Sequence, residues 1–212
     1  MTLHHCEQRS PEWIALRLGR VTASKAHLLS ARNKNGGEPA PRRDYRTQFA
    51  LERVTHVSQE RDFQARDTDR GRRYEPEAIR AYEAHTGRIA MPIGFVSHDD
   101  LMSGCSPDGF VDDGGIDVKC PRPANHFANL RCRGALPPDY LPQLQHSCWI
   151  TGASWWDLVS YCPQMPEGAR LYIARYHRVE QDMNAHELAV RFFLDEIEAE
   201  MREVEGLMAV TA

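Results

Sequence analysis

At 212 residues the chain is long enough for one domain with a full core, and it is read as a single domain over 1–212. A hydrophobic share of 42% with 26% charged residues is that of a globular protein, and no apolar run approaches a membrane span. With no apolar signal region between Met1 and Ser10 the expectation is a cytoplasmic protein, and a net charge of −4 excludes a uniformly basic polyanion binder.

In chain order, Ser10-Pro11-Glu12-Trp13 places Ser at an N-cap, Pro at the first helical position and an acid in the first turn. The spacing predicts a helix that stops at Gly19. The residues before it, including His4-His5-Cys6, read as a frayed terminus rather than a ligand cluster. Thr22 or Ser24 starts a short helix through Leu29, and residues 33–43, rich in Asn, Gly and Pro, read as an exposed loop. A helix is expected over 44–57, with Tyr45, Phe49 and Val54 as its apolar stripe. A longer one over 68–86, closed by Gly87, turns Tyr74, Ala78, Ala81 and Tyr82 inward.

Strands are expected at 93–97, near 104–112 and at 116–120. A short helix over 125–132, a break at Pro137-Pro138 and a helix over 140–150 ended by Gly152 come next. Strands at 155–162 and 171–177 precede a terminal helix over 184–207, with Leu188, Phe192, Ile197 and Met201 on its apolar face. This order predicts an α/β chain of mixed α+β type, a central mixed sheet flanked by helices.

Charge is uneven. Arg42, Arg43, Arg46, Arg53, Arg61, Arg66, Arg70, Arg72 and Arg73 make the first third basic, while Asp195, Glu196, Glu198, Glu200, Glu203 and Glu205 make the C-terminal stretch acidic. A basic surface opposite an acidic helix could bind a polyanion; a merely solvated arginine face fits equally well. The six cysteines form no C-x-x-C and read as free thiols in or near the core.

The chemistry concentrates in Ser106-Pro107-Asp108-Gly109 and Asp117-Val118-Lys119. Phe110-Val111 and Ile116, Val118 read as two strands joined by a turn over Asp112-Asp113-Gly114-Gly115. Side chains alternate along a strand, so Asp117 and Lys119 share a face, and Asp108 on the partner strand comes near both. Two acids and a lysine at a sheet edge can hold Mg²⁺ and activate a water. Asp-x-Lys alone fits a solvated strand face with one ion pair just as well. Glu75, on the helix before the sheet, could bring a third carboxylate, and Gln143 and Gln145 follow Lys119 on a helix. Arg17 and Ser24 flank a helix junction whose free N–H groups suit a phosphate.

Together, Trp13-x3-Arg17-Leu18-Gly19-x2-Thr22-Ala23-Ser24, Gly71-x2-Tyr74-Glu75, Cys105-Ser106-Pro107-Asp108-Gly109, Asp117-Val118-Lys119-Cys120-Pro121 and Gln143-x-Gln145-x-Ser147-x-Trp149 resemble the lambda exonuclease family of phage-type recombination nucleases. These YqaJ-like viral recombinases belong to the PD-(D/E)xK nuclease superfamily. The resemblance implies a restriction-endonuclease-like core and a Mg²⁺-dependent 5′→3′ exonuclease acting on linear double-stranded DNA. It also implies a homotrimeric ring around the DNA and a single-strand-annealing partner protein. Two ions are expected, with Mn²⁺ as a substitute, held by Asp108, Asp117, the Val118 carbonyl and Glu75. Lys119 and Gln143 would serve the attacking water, and Arg17, Ser24 and Ser106 the 5′-phosphate. Asp117 stands where the lambda enzyme has Glu, and residues 65–70 are too charged to match the family's strand-separating wedge. A superfamily endonuclease, an iron–sulfur exonuclease and a non-catalytic DNA-binding ring are the competing readings, and the cysteines lack the clustering the iron–sulfur enzyme needs.

Overall fold

The computed structural model of the chain describes residues 1–59 and 66–210, without the side chains of 66–68, 209 and 210. Eight strands among these residues form two four-stranded mixed sheets. The first joins β1 (Thr2–His4), β2 (Val21–Thr22), β3 (Phe95–Ser97) and β4 (Ser103–Cys105) in the order β1-β3-β4-β2. The second joins β5 (Gly109–Val111), β6 (Gly114–Lys119), β7 (Trp155–Tyr161) and β8 (Leu171–His177) in sequence order. The β2–β4 and β6–β7 pairs are parallel and the others antiparallel.

The helices are α1 (Pro11–Arg17), α2 (Ala40–Thr55), α3 (Arg66–Thr86), α4 (Pro123–Leu130), α5 (Leu141–Thr151) and α6 (Glu180–Val210). Ser10 caps α1, accepting from Trp13 N at 3.2 Å. Gly87 and Gly152 close α3 and α5 in left-handed conformations. The mixed architecture flanked by helices is the one expected, with its strands divided between two sheets.

Pro107 explains the division. Proline has no N–H to donate to a ladder, so the strand expected near 104–112 breaks there. Residues Ser106 to Asp108 instead carry the chain from one sheet to the other.

Several expectations are corrected. The N-terminus is not frayed: Leu3 pairs with Val96, His4 with Phe95, and His4 Nε2 bonds Ser97 Oγ at 2.9 Å. Thr22 belongs to β2, and a 3₁₀ helix, Ala23–Leu28, follows it. Helix α2 starts at Ala40, because Pro41 lies in the first turn, where a missing N–H costs nothing. The hairpin turn is only Asp112-Asp113, with Asp112 at φ 51°. Gly114 and Gly115 are strand residues that make room for two indoles: a Cβ would lie 2.3 Å from Trp155 and 2.6 Å from Trp156.

On α6 the buried residues are Met183, Val190, Phe193, Leu194 and Ile197, while Leu188 and Phe192 are exposed. The polar contacts of α2 set that rotation. Arg42 is 1% exposed and bonds Glu196 at 2.5 Å; Arg46 bonds Glu200 at 2.8 Å. The acidic helix is therefore the partner of these arginines and not an opposite face. Arg61 lies outside the described residues, as does Ala65 of the segment weighed as a wedge, and the Arg66 side chain is likewise not described.

Two apolar clusters cover the faces of the second sheet. Ala78, Tyr82, Ile116, Val118 and Val159 pack between the sheet and α3. Leu144, Cys148, Trp156, Leu158, Phe193 and Ile197 pack on the α5–α6 side. Cys105, Cys120, Cys148 and Cys162 are buried free thiols, and Cys6 and Cys132 are half-buried. Among the described residues, no helix is long and apolar enough to cross a membrane.

Candidate active site

Strand β6 sorts its side chains by parity. Ile116 and Val118 go to the α3 face, so Asp117 and Lys119 go to the face covered by α5. The Asp117 carboxylate is 4% exposed and is surrounded by donors. Gln143 Nε2 reaches Oδ1 at 2.5 Å, Lys119 Nζ reaches the same oxygen at 3.4 Å, and Trp156 Nε1 reaches Oδ2 at 3.1 Å.

Asp108 comes to the same place by the sheet crossing. Its N–H donates to Ile116 O at 3.1 Å, and its Oδ2 accepts from Val118 N at 2.6 Å. Asp108 thus bonds the peptide that joins Asp117 to Val118. Burial and the charge of Asp117 push the Asp108 carboxyl up to about 7; Lys119 opposes this, and the charge of Glu75 adds to it. For Lys119, burial alone would favour the neutral amine, but the charges of Asp117 and Asp108 outweigh it and raise its pKa. Lys119 is therefore an ammonium at neutral pH.

Gln143 and Gln145 part company, as residues two apart on a helix must. Gln143 turns to Asp117, while Gln145 Nε2 bonds Asp182 on α6 at 3.2 Å.

Beside this centre, Ser106 Oγ accepts from Trp13 Nε1 at 2.9 Å and from Arg17 Nη1 at 3.4 Å. The Arg17 guanidinium carbon lies over the Trp13 ring, 4.1 Å from its centroid, in reach of a cation–π contact. Thr22 pairs with Gly104 in parallel register, so Ser24 and Ser106 each lie two residues beyond that pair. Ser24 is exposed. A hydroxyl and a guanidinium meet here, two residues from Asp108.

Glu75 is less intimately placed. It is 31% exposed, 4.0 Å from Arg9, and acts on Asp108 through its charge rather than by contact. Among the described residues, no three His, Cys, Asp or Glu side chains already form a metal-binding group. The donors that are assembled, Asp108, Asp117 and the peptide of Val118, are hard oxygens of the kind Mg²⁺ takes. The raised Asp108 carboxyl marks a place where a cation would relieve repulsion between acids.

Trp156 escaped the sequence reading as a neighbour of the site, and Trp13 entered it only as part of a motif. Trp156 lies on the strand beside β6, paired with Gly115, so nothing local announces its bond to Asp117. The role of Trp13 as a donor to Ser106 had a signal, its i,i+4 spacing to Arg17.

Residues 12–154 match the model of the YqaJ-like viral recombinase domain, well over half of the chain. The chain belongs to the YqaJ-like viral recombinase family. Solved structures agree. An alkaline exonuclease from Laribacter hongkongensis, LHK-Exo, superposes with a TM-score of 0.84 at 32% identity, over 96% of this chain and 100% of that one. Its complex with dAMP gives 0.86 at 31% identity, with the same coverage. A phage-related exonuclease from Haemophilus somnus 129PT shares the fold at 14% identity, with a TM-score of 0.70 over 87% of this chain and 96% of that one. No curated protein matches the chain. Arg17, Ser24, Glu75, Ser106, Asp108, Asp117, Val118, Lys119 and Gln143 all fall between residues 12 and 154.

Proposed function

We propose that this chain, as a single nuclease domain, is a Mg²⁺-dependent 5′→3′ exonuclease that degrades one strand of linear double-stranded DNA and leaves 3′ overhangs for homologous recombination. The observation that carries the reading is the placing of Asp117 and Lys119 on one face of β6, with Asp108 bonded to the peptide between them. The name of the 32%-identical solved structure, an alkaline exonuclease, supports the coarser part of this reading, an exonuclease.

Asp108, Asp117, the Val118 carbonyl oxygen and Glu75 would hold Mg²⁺, two ions in all, with Mn²⁺ as a substitute. When bound, the metal supplies charge neutralisation at the phosphoryl oxygens and a more acidic water. Lys119, kept charged by its two acids, orients the attacking water and favours its deprotonated form. Gln143 bonds Asp117 through one Nε2 hydrogen, which leaves its second Nε2 hydrogen for the scissile phosphate and its Oε1 to accept from the water. Arg17, Ser24 and Ser106 hold the 5′-terminal phosphate, and a grip on that end gives the reaction its polarity.

A ring-shaped homotrimer around the DNA, a single-strand-annealing partner and a cytoplasmic location complete the reading. Light scattering tests the ring, and a strict monomer would remove it. The reaction is tested with linear duplex labelled at either end, in Mg²⁺ or EDTA. Early Mg²⁺-dependent release of the 5′ label, with the 3′ label retained in long strands, is expected. Early release of the 3′ label would reverse the assigned polarity, and cleavage of covalently closed circles would make the enzyme an endonuclease.

A further inference from the structure

Gln8 and Arg9 border the acid-bearing segments. Gln8 Nε2 donates to Pro107 O at 3.0 Å, which ties this segment to the residue before Asp108. Ser10 N donates to Glu7 O at 3.1 Å and closes a turn around Arg9, and Ser10 then caps α1. Upstream, Cys6 packs so tightly on Gly94 that a Cβ there would lie 2.2 Å from the Cys6 carbonyl oxygen. The backbone of Arg9 is held from both sides.

That backbone is left-handed, with φ 71°. Glycine adopts this region freely and a longer side chain does so at a cost, so the residue type needs a reason beyond the turn. The side chain supplies one. Its Nη2 lies 4.0 Å from Glu75 Oε2, too far for a hydrogen bond, and it is 44% exposed. Among the described residues it donates no hydrogen bond elsewhere. A guanidinium with no hydrogen bond of its own among the described residues therefore stands at the edge of the acid cluster, against Glu75.

We propose that Arg9 is a substrate-phosphate contact of the nuclease, donating to non-bridging oxygens of the DNA backbone where the strand passes Glu75. This rests on the nuclease reading above. A cation shared between Glu75 and Asp108 would be repelled by a guanidinium with no anion between them. A backbone phosphate in that gap satisfies both, since its oxygens take the arginine donors and leave the Glu75 oxygens to the cation. Arginine suits this better than lysine, because its planar fork meets two phosphate oxygens at once.

The test is equilibrium binding rather than turnover. Anisotropy of a labelled duplex with a 5′-phosphate is measured in Ca²⁺ across a range of salt, for the wild type and for Arg9→Gln, Arg9→Gly and Arg9→Lys. Arg9→Gly relieves the left-handed strain, so its fold is safe, and an unchanged melting temperature confirms that. The Gln and Gly variants should bind roughly 5- to 10-fold more weakly, with a plot of log affinity against log salt shallower by about 0.7 to 0.9. Arg9→Lys should keep the wild-type slope. Wild-type affinity and slope in Arg9→Gly would overturn the contact while leaving the nuclease intact. A wild-type protein that binds no DNA end would instead overturn the nuclease reading, and this contact with it.

Discussion

The indole of Trp156 donates to Asp117 Oδ2 at 3.1 Å from the strand beside it, on the side of the carboxylate away from Gln143. Trp156 is fully buried, so this bond fixes the orientation of Asp117 from within the core. Trp156→Phe keeps a flat apolar ring and removes the donor. Groups that orient metal ligands cost roughly 10- to 100-fold when lost. We expect a fall of that size at low Mg²⁺, shrinking as Mg²⁺ is raised. A rate curve against Mg²⁺ that is only scaled down, with the same midpoint, would separate Trp156 from metal binding.

Lys119→Ala removes the ammonium that Asp117 and Asp108 hold charged. Hydrolysis should drop by at least 100-fold, the low end of what a proton-handling group contributes, while binding to duplex ends stays within a few-fold of wild type. Parallel losses of both would show that Lys119 serves binding and not the water.

Arg17 meets Ser106 and lies on Trp13. In Arg17→Ala the preference for 5′-phosphorylated over 5′-hydroxyl ends should disappear, with the rate on hydroxyl ends little changed. Competition between the two substrates in one tube reads this directly, and a retained preference would take Arg17 out of the phosphate pocket.

Asp157 is 1% exposed and shares its two oxygens among Arg175, at 2.7 and 2.8 Å, and the Tyr82 hydroxyl at 2.9 Å. Arg175 also stacks on Trp155, its guanidinium carbon 3.6 Å from the ring centroid. Arg175→Met leaves a buried carboxylate without its cation, a defect worth about 3–5 kcal/mol. Urea unfolding should show that loss. Adding Asp157→Asn should restore part of it, since the charge is then gone.

Two histidines behind the first sheet make the fold acid-sensitive. Ser103 Oγ donates to Val21 O, so His146 Nε2 donates to Ser103, and His146 Nδ1 must accept from His186 Nε2 at 2.9 Å. Burial keeps both rings neutral at pH 7. Burial pushes His186 down to about 4, and burial with the neighbouring His186 pushes His146 well below the ordinary value. Their folded pKa values lie below the unfolded value of about 6.5, so the unfolded chain takes up protons first. Stability is full above pH 6.5 and falls between there and pH 4, by roughly 3 kcal/mol for His186 alone. Urea midpoints at pH 7.5 and pH 5 should differ more in the wild type than in His186→Gln; equal differences would clear His186 of the acid limb.

The acid–lysine set was legible because its signals are local. A spacing of two puts Asp117 and Lys119 on one face, and a turn brings Asp108 back beside them. What hid was long-range. The bond of Trp156 depends on which strand lies next to β6, and a parallel neighbour 39 residues away leaves no pattern near either residue. The apolar face of α6 was misplaced for a similar reason. Leu188 and Phe192 fit the helical period, but Arg42, Arg46 and Thr47 on α2 set the rotation by bonding Glu196 and Glu200. Gly114 and Gly115 look like turn residues, and only the Trp155 and Trp156 rings against them show why they lie in a strand.

The passage from one sheet to the other is only Ser106, Pro107 and Asp108. In an enzyme that grips a chain end through Ser106 and cuts beside Asp108, those residues act as a ruler. Two residues of backbone span at most about 7 Å, and Pro107, with its fixed φ, stiffens the gauge. On the proposed reading, the distance between grip and cut is then set by covalent geometry and not by the sequence of the DNA. An insertion at this crossing would move the cut relative to the Ser106 grip.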